Sequence, residues 1–432
     1  MKRLVFLLLC MASAALGGPL DPLLAKPDLW SLNQDSFERL SESRQFRWTS
    51  NARDSARAAT HDLNPENILT LYNLPVTESL VRFEGGKLTQ FVATIYSRGD
   101  AGEIKKEVFE ELLRKTIDAL DTATKVKYTP RGREAGNAVH AEGLLWQNPT
   151  AQYLLEYSFT REMKSRDVPF RAEFVRLTVT PPTRTTSLLA SASNAAQARF
   201  NGLTHVKRDS NSGDVLIADI PMVDQGQKGY CAVACTERVM RYYGVSVDEN
   251  ELAQVANTAT EGGTSPEAMF GALKKLSARL HVRVHAVEQL EIKQILALQT
   301  EYNRAAKKES VAQLPDQGHF IDINGMFEAM KPDLLSEVRT KNKAEVSRFE
   351  RAVEDHINQG VPLLWSVVVG LFPEHGVSMQ NSGGHMRLII GYNNKTQEIL
   401  YSDSWGRGHE LKRMPLNNAV AMTVGMTTLE PL

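Results

Sequence analysis

The chain has 432 residues, more than a single hydrophobic core usually serves, so two domains are expected. Its 50 Lys plus Arg stand against 51 Asp plus Glu for a formal net charge of −1, with no long block of one sign. That balance excludes nucleic acid and anionic membrane surfaces as charge-driven partners.

Residues 1–18 read MKRLVFLLLCMASAALGG: a basic start, an apolar run, then small residues suited to cleavage near Gly17 or Gly18. The apolar run is shorter than the roughly 20 residues a bilayer span needs. This is the pattern of a removable secretory signal, so a periplasmic or extracellular location is expected, with no stable membrane insertion after signal removal. Cys10 follows Leu9, where a lipoprotein signal would carry a small residue. The remaining cysteines, Cys231 and Cys235, are four residues apart on one expected helix, which makes a mutual disulfide awkward. Without paired His or Cys nearby they make no zinc signature. Neither metal nor cofactor is expected.

Residues 19–180 are expected to form a smaller α+β domain. Thr77 to Ser97 alternates around Gly85 and Gly86, with Phe91, Ala93 and Ile95 on one face and Gln90 and Thr94 on the other, which predicts a hairpin. Ile104, Val108 and Leu112, then Phe109, Leu113 and Ile117, are rows of a helix laid on a sheet. Strands are predicted over 152–160 and 170–180. Pro181 and Pro182 open a Ser/Thr/Ala-rich connector over 181–212. The domain before it could hold substrate, dock a partner or cover a cleft as a prosegment.

The second domain is expected over 213–432. From Tyr230 to about Glu354 helical periodicity dominates, including a helix from Cys231 to Tyr243 ended by Gly244 and one from Pro266 to Leu276 behind a Thr264/Glu267 capping box. Short β-type runs follow: VPLLWSVVV, HMRLIIGY, EILYSD and VAMTVGM. A helical lobe carrying a thiol thus faces an antiparallel β lobe carrying an imidazole.

Cys231 begins its helix, where the dipole favours an anion and lowers a thiol pKa. Taken alone it also reads as a small buried cysteine. Gln225, six residues earlier in PMVDQGQKGYC, changes that reading, because a tetrahedral intermediate needs donors at its new oxygen. The nucleophile's own N–H supplies one such donor and a Gln amide from the preceding loop another. Cys235, one turn on, reads as core. His385 stands between Gly383/Gly384 and a strand, and Asp403 on the next strand can hold one ring nitrogen so that the other meets the sulfur. Trp405 could cover that hydrogen bond. His375 and His409 lack the same setting.

Pro221, the Gln225–Gly226 pair, Gly229, Cys231, His385 with IIGY, and SDSWG together resemble the papain-like cysteine peptidases across about the 220 residues of the second domain. The resemblance implies a two-lobed papain-like fold with Gln225 as oxyanion donor, Cys231 as nucleophile, His385 as general base then acid, and Asp403 as its orienter. Papain itself would carry a cysteine where Lys228 stands, an aromatic at Ala232 and an asparagine at Asp403. Those departures resemble the bacteriocin-processing branch, whose triads are Cys/His/Asp and whose members often cut after Gly-Gly. Gly262 and Gly263 before the Pro266 helix suit either a peptide-presenting loop or a plain turn. The expected function is an exported cysteine peptidase acting on peptide or protein substrate. Transglutaminase-like acyl transfer and a catalytically silent papain-fold binding protein are the alternatives.

Overall fold

A computed structural model describes residues 18–41, 45–60, 68–133, 139, 141–160, 169–182, 200–226, 229–245, 247, 249–258, 265–278, 280–316, 322–374 and 382–432. The expected signal at the N-terminus, His375, Gln227, Lys228, Gly262, Gly263 and Thr264 lie outside the described residues. The chain is α+β, with its strands in antiparallel sheets.

Before residue 181 the strands are β1 (Arg47–Trp48), β2 (Ser55–Ala59), β3 (Leu69–Leu71), β4 (Leu74–Val76), β5 (Glu78–Glu84), β6 (Lys87–Ser97), β7 (Thr129–Arg133), β8 (Glu142–Gln147), β9 (Gln152–Thr160) and β10 (Arg171–Thr180). Eight of them form one sheet in the order β1-β2-β5-β6-β10-β9-β8-β7, while β3 and β4 make a separate ribbon. The β5–β6 hairpin turns at Gly85 and Gly86, whose φ of 57° and 77° suit residues without a Cβ. The helix Lys106–Thr124 lies on β8 and β10 and buries Phe109, Thr116 and Leu120. Asp121 fixes its last turn by accepting from Trp146 Nε1 at 2.8 Å.

Strand alternation gives this sheet two different faces. Ala56, Val81, Phe83, Phe91, Ala93, Val175 and Leu177 point into its core. Their neighbours Arg57, Glu78, Arg82, Gln90, Thr94, Glu156 and Arg176 point the other way, and that polar face is covered by the second half of the chain around a cavity of about 130 Å³. Arg57 pairs with Glu78 at 2.7 Å and Arg176 with Glu156 at 2.8 Å within the sheet. Across the junction Arg82 meets Glu237 and Arg176 meets Glu251, each at 3.6 Å.

After residue 200 the strands are β11 (Val206–Arg208), β12 (Asp214–Ile217), β13 (Val282–Gln289), β14 (Leu363–Val369), β15 (Gly383–Asn393), β16 (Glu398–Ser402), β17 (Lys412–Pro415) and β18 (Thr423–Pro431). Their order is β11-β12-β15-β14-β18-β13, with β16 bridging β15 and β17. Every residue of β14 is buried, as expected of a strand covered on both faces. The helices Cys231–Tyr242, Glu249–Val255, Ile292–Glu309 and Lys343–Asn358 join β14, β15 and β18 in one core.

Local differences from the expected pattern have physical reasons. β13 lies inside the stretch read as helical, because Val282 and Val284 alternate with polar residues and pair with β18. The helix Pro266–Leu276 is capped by Ser265, whose side chain accepts from the Ala268 N–H at 3.1 Å. VAMTVGM divides, since the helix Leu416–Met422 ends at Met422 and β18 starts at Thr423, whose hydroxyl donates back to Ala419. Residues 202–208, within the expected connector, form a 3-10 turn and β11, which pairs with β12.

Candidate functional site

The helix Cys231–Tyr242 begins where Tyr230 leaves helical geometry and ends at Gly244, whose φ is 77°. Its row of Cys235 and Arg238 turns toward the β sheet. Cys231 is partly exposed at the first turn, whereas Cys235 is fully buried with its thiol on Met386 O at 3.3 Å. Burial pushes the Cys235 thiol far up, so it stays protonated.

Two residues apart on β15, His385 and Arg387 share a face of the strand and flank one carboxylate. His385 Nε2 lies 2.7 Å from Asp403 Oδ1, which leaves Nδ1 as the ring nitrogen for the sulfur. Arg387 Nε donates to Asp403 Oδ2 at 2.7 Å, and the Ser404 N–H donates to Oδ1 at 2.8 Å. Asp403 follows β16 directly, and the Leu388–Ser402 pairing sets it beside the imidazole. The Trp405 ring stacks on His385 with centroids 4.6 Å apart and planes 19° apart.

Arg387 is completely buried and pairs with Glu374 at 2.9 Å. Its guanidinium lies over Tyr401 and Trp405, 4.8 and 5.3 Å from the ring centroids. Tyr401 donates in turn to Glu374. Asp403 is therefore held by a cation that is itself neutralised on its far side.

Gln225 is buried in the loop ahead of the helix. Its backbone N–H donates to Ser404 O at 2.9 Å, and its side-chain Oε1 accepts from Ser404 Oγ at 2.6 Å. Fixing the oxygen on Ser404 turns the amide N–H₂ group the opposite way. Arg238 ties the loop, helix and β16 together: it donates to Pro221 O at 2.9 Å, to Asp403 O at 3.0 Å and to Ser402 Oγ at 2.5 Å.

The charges follow from this geometry. Burial alone would raise the Cys231 thiol, but a hydrogen bond and charge from His385, with the Met386 and Ala232 N–H groups, bring it below its ordinary value. Burial would lower His385, yet the charge and hydrogen bond of Asp403, then Cys231, push it up to about 9. Asp403 is held below the usual carboxylate range: burial opposes this, and the charge and hydrogen bond of His385, then Arg387, overcome it. Near neutral pH these shifts favour a thiolate beside an imidazolium, a pair suited to attack on a carbonyl.

Cys231, His385, Asp403 and Trp405 thus come together, and Gln225 reaches them through Ser404. His409 stands edge-on to Trp405 at 5.5 Å and gives its backbone oxygen to the Asp403 N–H. Sequence reasoning missed Arg387, Glu374, Arg238 and Ser404. A charged residue inside the apolar run HMRLIIGY was a usable signal for Arg387, as was Arg238 inside CAVACTERVM. Nothing in the sequence around Glu374 distinguishes it.

Residues 217–423 match the Peptidase_C39 like family. That match supports a papain-like cysteine peptidase of the bacteriocin-processing branch over this segment. No curated protein matches the chain. Among the described residues, no helix is long and apolar enough to cross a membrane.

Proposed function

We propose that this chain is an exported cysteine peptidase whose catalytic half adopts the two-lobed papain-like arrangement and works through Cys231, His385 and Asp403, with Gln225 as oxyanion donor. The Cys231 thiolate attacks a peptide carbonyl carbon, a C–S bond forms, and the carbonyl electron pair moves onto oxygen. The Gln225 amide and the Cys231 N–H stabilise that oxyanion. As the intermediate collapses, the C–N bond breaks and imidazolium His385 gives its proton to the leaving amine. Water then attacks the thioester, His385 takes its proton, and the thiolate departs with the carboxylic acid product released. Asp403 keeps the ring aimed throughout.

The observation that carries this reading is the position of His385, with one nitrogen on Asp403 at 2.7 Å, its face under Trp405 and its remaining side against Cys231. The family match supports the peptidase class, and the sequence of the first 18 residues supports export. A peptide-library digest comparing wild type with Cys231→Ala tests the reading. Cleavage by the wild type alone is expected, and equal digestion by both proteins would overturn it. Products linked to an added amine would move the assignment to acyl transfer.

A further inference from the structure

The N-terminal unit touches the scaffold of the candidate site at three places. The Arg57 guanidinium, anchored on Glu78 by bonds of 2.7 and 3.0 Å, lies against the backbone of Gly226, next to Gln225. A Cβ placed on Gly226 would sit 2.4 Å from Arg57 Nη2, and the φ of 65° there disfavours one as well. At the other end of the same loop, the Tyr230 ring is seated on Gly99, where a Cβ would sit 1.6 Å from its hydroxyl. Third, Asn51 accepts from Arg407 Nε at 2.8 Å and donates its backbone N–H to Glu410 at 2.6 Å, holding the loop that follows Asp403.

These contacts do not come from above the sulfur. The sheet meets the Cys231–Tyr242 helix on the flank of Glu237 and Arg241. With 3.6 residues per turn that flank lies about 100° around the axis from the row Cys231, Cys235 and Arg238. A domain covering the cleft would have to approach the first turn on the side of Cys231, which is partly exposed. This domain instead grips both ends of the 224–230 loop from behind. Glu237 and Glu251, buried at the junction, complete the dock opposite Arg82 and Arg176.

We propose that the N-terminal unit is a fixed positioning element of the candidate site, in which Arg57 holds the Asp224–Gly226 loop so that Gln225 keeps its aim, and that it is not a segment removed to open the cleft. Other bonds share in holding this loop. Asp224 Oδ1 accepts from the Gly226 N–H at 2.9 Å, and Gln225 hangs on Ser404. Arg57 adds to them a close contact at Gly226. Because the oxyanion donor stabilises charge that develops only in the transition state, loosening it lowers kcat and leaves KM and the thiol nearly untouched.

The proposal rests on the peptidase reading, and its test separates the two. In the full chain, Arg57→Ala and Arg57→Lys are compared with wild type for turnover of denatured casein and for the pH profile of Cys231 alkylation by iodoacetamide, which needs no oxyanion donor. For Arg57→Ala, kcat is expected to fall by about tenfold or more with KM within about twofold. The alkylation profile should stay unchanged, and Arg57→Lys should recover part of the rate. Wild-type kcat in Arg57→Ala, or an alkylation profile that shifts in step with kcat, would overturn the proposal.

Should an Arg57 variant fail to fold, a chain with a protease site inserted between Pro182 and Phe200 decides the matter. After cleavage the two fragments are expected to migrate together at about 0.15 M salt and to keep their activity. Fragments that separate, or activity that rises on their separation, would overturn the positioning role. If wild type cuts no casein and Cys231 alkylates as an ordinary thiol, the peptidase reading fails. The positioning of an oxyanion donor then fails with it, and whether the cleaved fragments stay together still decides if the N-terminal unit is a fixed part of the fold.

Discussion

Arg387 and His385 divide the two oxygens of Asp403 between them, each at 2.7 Å, from adjacent same-face positions of one strand. The carboxylate is fully buried and would be costly to ionise there alone. Arg387 makes ionisation affordable and fixes the plane of the carboxylate, and thereby the direction in which the imidazole points. Its own second partner, Glu374, keeps the cluster from carrying excess positive charge.

Arg387→Ala therefore leaves Glu374 without its cation and Asp403 with His385 alone. Removing one partner of such a pair costs about 3–5 kcal/mol, which urea unfolding at neutral pH would read directly. The sign of the pH dependence is fixed. Asp403 has a depressed pKa in the folded wild type, so its contribution is present above the usual carboxylate range and lost as pH falls. The variant has less of that contribution to lose, so the gap between the two proteins narrows on acidification. A gap that stays constant would show that Arg387 acts by packing alone.

The pH dependence of turnover follows from His385. In the proposed mechanism its proton goes to the leaving amine, and Asp403 raises its pKa to about 9, so kcat/KM should fall on the alkaline side with a midpoint near that value. Asp403→Asn removes the charge that opposes burial, and the His385 pKa drops. The alkaline limb then moves to lower pH, with a lower plateau because the ring is no longer held by an anion. An alkaline limb at the same pH in both proteins would remove Asp403 from this role.

These residues show how far the sequence carries. Thiol, imidazole and carboxylate were legible because each sits at an element boundary with a local signature: Gly229 and Tyr230 before the helix, Gly383 and Gly384 before β15, and SDSWG after β16. The hairpin of β5 and β6 was legible from alternation. The same alternation left one point open, because it separates a polar face made of Arg57, Arg82, Gln90 and Thr94 without saying that the second half of the chain covers it. Period 2 reports that two faces differ and is silent on what meets each of them. Glu374 was out of reach for a related reason, since its role exists only through Arg387 and Tyr401, which the chain brings to it from 13 and 27 residues away.

Ser404 offers a test of the oxyanion assignment that leaves the triad intact. Its hydroxyl holds Gln225 Oε1 at 2.6 Å, so Ser404→Ala removes that hold on the amide while the backbone bond from Gln225 N to Ser404 O remains. Gln225→Ala should lower kcat by about 10²–10³-fold, the usual effect of losing one oxyanion donor. Ser404→Ala should lose part of that, and the double variant no more than Gln225→Ala alone. Effects that multiply in the double variant would show that the two residues act independently.

Cys235 supplies the control for the nucleophile. It lies one turn beyond Cys231 on the same helix, but its thiol is fully buried on Met386 O and burial drives its pKa up, so it is neither reachable nor ionised. Cys235→Ala removes a buried sulfur and should cost about 1 kcal/mol in urea unfolding, with peptide cleavage retained. With residues 1–18, and so Cys10, removed, iodoacetamide should label one site in wild type and in Cys235→Ala, and none in folded Cys231→Ala. Labelling that persists at Cys235 in folded Cys231→Ala would mean that the helix opens where the packing around Met386 and Ser404 holds it closed.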